Sequence, residues 1–255
     1  MALRTTIPRV DWSQPINNGL VAWWPMWENA GGKALDIAGK NNHGTLTNGP
    51  AWAGDGLKFD GADDYLVLPD MSSSFSSQAT LNMWVKLRVN VPAAAPQTGF
   101  VYLGTSDVAS HYPWTDGSIY LGTFLAARQT LGDIGIDRTV WHMVTITSAP
   151  GAGSWKFYQN GVLYYSGTGD ASVNIGTLGW LGRSQTTDTS FYLDGKINNA
   201  RLFNRALSAQ EIQRLYQSPN AGLWIPDITR YYFPAAGGSS IVPIVMRQYR
   251  ARRAA

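Results

Sequence analysis

Hydrophobic and polar positions along this chain alternate with a period of two far more often than with a helical period. The clearest run is ATLNMWVKL, residues 79–87. Leu81, Met83, Val85 and Leu87 fall on one side, and Asn82, Trp84 and Lys86 on the other, as a strand with one buried face requires. SIYLGTFLA (118–126) and WHMVTITS (141–148) read as further strands. GSWKFYQNGVLYYSG (153–167) reads as a hairpin, because Asn160-Gly161 supplies the two positive-φ positions of a type I′ turn. Roughly a dozen such runs, punctuated by Gly, Asn and Asp, predict an all-β sandwich or barrel.

One segment breaks the pattern. In LSAQEIQRLY (207–216) Ser208 and Glu211 have the spacing of a capping box, with Leu207 and Ile212 placed to close a hydrophobic staple over it. Ile212, Leu215 and Tyr216 then form an apolar stripe suited to packing on a sheet. Beyond the patterned region lie two segments without periodicity, 1–18 and 219–255. The expected organisation is therefore an N-terminal arm (1–18), a β domain (19–218) and an extended C-terminal arm (219–255).

Composition narrows the chemistry. The 255 residues contain no cysteine, which excludes disulfide scaffolds, thiolate metal sites and cysteine nucleophiles. Glutamate occurs only at Glu28 and Glu211. The net charge of +3 is carried by the tail: without Arg247, Arg250, Arg252 and Arg253 the chain is close to neutral and offers no general nucleic-acid surface. The N-terminus has no apolar core of a secretory signal. The apolar run IVPIVM (241–246) is too short to span a bilayer. Both observations predict a chain made in a cytoplasm, neither exported nor membrane-bound.

Several motifs carry a family resemblance. GLVAWWPMWE (19–28), the D-x-x-GKNNHGTL run (36–46) and LKFDGADDYLVL (57–68) come first. The 79–87 strand, VWHMVTIT (140–147), FYQNGVLYYSGTG (157–169) and FYLDGKINNARLFNRALSAQEIQRLY (191–216) then arrive in order. Over about 200 residues the chain resembles laminin-G-like, concanavalin A-like jelly rolls. The resemblance implies two stacked antiparallel sheets of about six or seven strands each, a short C-terminal helix and neighbouring termini. It also implies a structural calcium, for which Asp36, Asp63 and Asp64 are the candidates. The usual acidic pair of the closing strand is replaced here by Asn198 and Asn199, which weakens such a site.

The same fold hosts glycanases, which need two carboxylates roughly 5–9 Å apart on a sheet face. No strand carries acids at such spacing. Asp133 and Asp137 lie among glycines and read as loop acids, His142 as a packed histidine, and no hydrolase or phosphate-binding motif is present. A non-enzymatic protein is expected. Trp23, Trp84 and Trp141 read as core. Trp114, with Tyr112 and Asp116 beside it in HYPWTDG, reads either as interface or loop packing or as a sugar platform.

The arms suggest assembly. Trp224, Tyr231, Tyr232 and Phe233, followed by the four arginines, cannot form a core of their own and read as a partner-binding segment. A jelly roll flanked by such arms resembles structural proteins of tailed bacteriophages. That resemblance implies a virion component, a head decoration protein clamped to the major capsid protein or other virion subunits and assembled as a homo-oligomer. Contact of the basic tail with packaged DNA is the less favoured use. The alternative is a carbohydrate-binding module for a host or environmental glycan, on a phage appendage or cell surface.

Overall fold

The computed structural model describes residues 9–224, apart from 104–108, 174, 176, 178 and 185–190. The predicted all-β sandwich is present. The larger sheet runs in the order Val162–Gly169, Gly151–Gln159, His142–Ser148, Ala79–Leu87, Asp194–Phe203, Leu57–Asp60, Ala51–Trp52, and Leu20–Trp24 joins it on the long strand Asp194–Phe203. The smaller sheet runs Lys33–Ala34, Gly44–Thr47, Tyr65–Leu68, Gly179–Leu181, Val101–Leu103. All pairings are antiparallel. Eight and five strands replace the expected even split, because Leu20–Trp24 and Leu57–Asp60 share one edge of the ten-residue closing strand.

The core between the sheets takes the predicted face of the central strand: Leu81, Met83, Val85 and Leu87 pack with Phe59, Val144, Ile146, Leu66, Val101 and Leu181. Asn160 and Gly161 both adopt positive φ, 49° and 82°, and close the hairpin as expected. A second apolar cluster covers the outer face of the larger sheet. There the helix Ala209–Gln217 buries Ile212 and Leu215 against Trp23, Met143, Tyr158 and Phe203. The capping box is formed in both directions, and Arg205 adds a bidentate ion pair to Glu211.

The domain runs past its expected limits of 19 and 218. Val10 and Ile16 belong to the second cluster, and Arg9–Val10 pairs with Leu223–Trp224. Asn17 donates to Asp11 O and Gly222 O, both at 2.8 Å, which ties the two ends together. These residues lacked periodicity because their contacts come from opposite ends of the chain. Trp224, expected in a partner-binding arm outside the sandwich, is the last described residue of this clasp, with the Arg9 guanidinium over its ring. Tyr231, Tyr232, Phe233, Arg247, Arg250, Arg252 and Arg253 lie outside the described residues. No helix among the described residues is long and apolar enough to cross a membrane.

Candidate functional site

A bulge in the closing strand prepares the site. Asn198 pairs with Trp84, but the next partners are Arg201 and Asn82, so one extra residue is accommodated at Asn199, whose φ is +50°. The insertion shifts the buried positions of this strand from Ile197 to Ala200 and Leu202. It leaves Asn198 on the outer face beside Trp84. Outward-facing Trp84 stacks on Tyr216 of the helix, with centroids 5.8 Å apart and planes at 17°. One side of the indole is thereby covered.

Trp84 lines an open cleft of about 330 Å³, at the small end of the range for ligand sites. Its apolar wall is Trp27, Trp84 and Trp141, joined by Pro219; Asp55, Asn198, Asn199 and Asn220 supply its polar groups. Trp27 stands in the loop after Leu20–Trp24 and is 40% exposed. Asp55 sits in the turn joining Ala51–Trp52 to Leu57–Asp60, closed by Ala53 N–H donating to Gly56 O at 3.0 Å. Three bonds hold Asp55: Trp141 Nε1 donates to Oδ2 at 3.3 Å, Lys196 Nζ to Oδ1 at 2.8 Å, and Asn198 Nδ2 to its main-chain oxygen at 2.6 Å. The Lys196 bond, helped by Trp141, holds the carboxyl below the usual carboxylate range despite partial burial.

The floor is rigid. Asn199 accepts from Trp23 Nε1 at 2.6 Å and donates to Pro219 O at 2.7 Å. Arg201, 1% exposed, also donates to Pro219 O and lies 3.7 Å over the Trp23 ring. Burial pulls its pKa down to about 9.

The residues expected to bind sugar are elsewhere. Tyr112 is a core residue: it is 1% exposed, stacked on Phe100 and donates to Gln159 Oε1, so it has no surface to offer a ligand. Trp114 is half-buried against His111 and Phe191. Asp116 braces its own turn through Ser118 N–H and Tyr120 Oη–H. Trp23 is buried as expected, but Trp84 and Trp141 are not core; both face the cleft. The signal was in the alternation: Trp84 shares its face with Asn82 and Lys86.

The acidic candidates divide as well. Asp63 and Asp64 cluster with Asp60, their carboxylate oxygens within 4.8 Å of one another. Asp36 does not join them. It accepts from the backbone N–H groups of Trp23, Ala38 and Asn42, and so anchors a loop to the strand Leu20–Trp24. Burial, then the Asp60 charge, pushes the Asp64 carboxyl up, which is the repulsion a cation would relieve. Asp60 Oδ1 and Asp64 Oδ2 are, however, occupied by backbone N–H groups. Three carboxylates carry six oxygens, of which these two already accept backbone N–H groups; calcium takes six to eight. Asn198 and Asn199 are committed to Asp55, Trp23 and Pro219 instead.

Residues 60–213 match the sequence profile of the concanavalin A-like lectin/glucanases superfamily, Laminin_G_3. Among solved structures, a Trypanosoma rangeli sialidase in complex with a difluoro-KDN ligand aligns with a TM-score of 0.62 at 17% identity, over 86% of this chain and 37% of the sialidase. The same sialidase with sialic acid aligns at 0.62 and 16%, over 80% and 33% of the two chains. The botulinum neurotoxin serotype D binding domain aligns at 0.59 and 16%, over 79% and 52%. The chain thus spans between a third and about half of the structures it resembles, and at these identities the likeness is one of fold. No curated protein sequence matches it.

Proposed function

The chain belongs to the concanavalin A-like lectin/glucanases superfamily, and from that premise we propose that it is a non-catalytic carbohydrate-binding module whose ligand stacks in the aromatic cleft. The observation that carries the reading is the convergence of Trp27, Trp84 and Trp141 with a hydrogen-bonded carboxylate and the amides of half-buried Asn198 and exposed Asn220. Indole faces match the apolar faces of sugar rings, and Asp55 and Asn198 offer the fixed polar groups that orient hydroxyls. Binding without turnover is favoured by the lining, in which Asp55 is the single carboxylate and is tied to Lys196; glycoside hydrolysis ordinarily needs a pair. Tyr231, Tyr232 and Phe233, with Arg247, Arg250, Arg252 and Arg253, remain the sequence basis for attachment to a larger particle such as a virion.

The test is a glycan array followed by calorimetry on the hits. A Trp27→Ala variant should fold normally and bind about tenfold more weakly, equivalent to about 1.4 kcal/mol. A folded wild-type protein that binds no glycan, or a Trp27→Ala variant that binds every hit unchanged, overturns the assignment.

A further inference from the structure

Resting on the glycan-binding reading, we infer that the cleft takes neutral sugars and rejects acidic ones. Among the described residues the only ionisable side chain on its wall is Asp55, and its bonds to Lys196 and Trp141 keep it ionised. An ionised carboxylate is a strong acceptor for sugar hydroxyls. It repels a carboxylate or sulfate brought beside it.

Among the described residues no cation lines the cleft itself. Lys196 is committed to Asp55 Oδ1 at 2.8 Å. Arg201 lies beneath the floor, sealed by Trp23 and bonded to Pro219 O. Lys58 and Lys86 stand opposite Lys196 on the two neighbouring strands, a row of like charges across the sheet, but neither lines the cleft. The indole of Trp141 reaches across the sheet from its own strand to Asp55, with Cη2 at 3.3 Å from where a Cβ on Gly56 would lie. An acidic sugar seated in the cleft would therefore meet Asp55 first, and taking Lys196 as its counter-ion would leave Asp55 unpaired beside it. Asn198 and Asn220 carry no charge and serve a hydroxyl equally well.

The experiment measures matched pairs by calorimetry: each neutral oligosaccharide that binds, beside its sialylated, sulfated or uronic-acid analogue. The acidic member should bind at least about tenfold more weakly. Asp55→Asn should narrow that gap, with circular dichroism confirming its fold. Independently of any variant, wild-type affinity for the neutral member should be the same at low and at about 1 M salt, since no ion pair with the ligand is there to be screened. An acidic analogue that binds as tightly as its neutral partner, or more tightly with the gain lost in Lys86→Ala, overturns the inference and leaves glycan binding standing. Absence of binding by both members of every pair overturns the glycan reading itself, and this inference with it.

Discussion

Trp141 donates its indole N–H to the carboxylate of Asp55 at 3.3 Å, joining the start of one strand to a turn 86 residues away in sequence. The bond is possible because the residue after Asp55 is a glycine. Gly56 has φ +149°, and a Cβ there would stand 2.6 Å from Ile197 O and 3.3 Å from Trp141 Cη2. The turn must lie this close to the bulged strand for Asn198 to reach Asp55 O.

Gly56→Ala should therefore damage both fold and site. Since the contact is with backbone, the turn must move, at a cost of about 1–3 kcal/mol for the strained conformation. Chemical denaturation should register that loss, and glycan affinity should fall with it. Unchanged stability and affinity would mean that the turn is not held against the sheet.

Below about pH 6.5 the domain should lose stability through His142. Its Nδ1 donates to Val140 O at 2.8 Å, while Nε2 is buried without a partner. Burial pushes the folded pKa down. The unfolded chain then binds a proton that the folded one refuses, so the contribution is complete above the unfolded pKa. It is lost as pH falls towards the folded value. Denaturation midpoints between about pH 6.5 and 5 should fall in the wild type and flatten in His142→Gln; parallel curves would exclude His142 as the cause.

Truncation after Trp224 should leave a folded domain with its cleft, whereas truncation after Ser218 should not. The shorter cut removes Pro219 O, the acceptor for Asn199 and buried Arg201, together with Gly222 O, the acceptor for Asn17. Losing partners of buried donors costs about 1–3 kcal/mol each, more for a charged group. Thermal melts of the two truncations decide it, and equal melting temperatures would contradict the clasp.

Ser208→Ala should cost about 1 kcal/mol by removing the helix cap. The helix presents Tyr216 to Trp84, so Ser208→Ala also asks whether fraying reaches the site. A full loss of glycan affinity at so small a cost would mean that the Tyr216–Trp84 stack governs binding.

The sequence by itself determined those features whose physics is local. Alternation over residues 79–87 identified the buried face, Asn160-Gly161 the hairpin, and Ser208 with Glu211 the start of the helix, because each depends on neighbours within a few positions. Tertiary structure alone decided the rest. Period two says that Trp84 is opposite Leu81 and Leu87; it does not say whether that outer face is covered. The helix and the clasp bury it at Trp23 but cover Trp84 on one side only, so tryptophans of similar sequence character became core in one place and cleft in another. The extra residue at Asn199 could not be placed until its partner strand was known, since a bulge is a mismatch between two strands and not a property of one. Tyr112 and Asp36 were misplaced for the same reason: burial and hydrogen bonding are set by what folds over a side chain, and those partners, Gln159 for one and Trp23 for the other, are distant in sequence or hidden in its spacing.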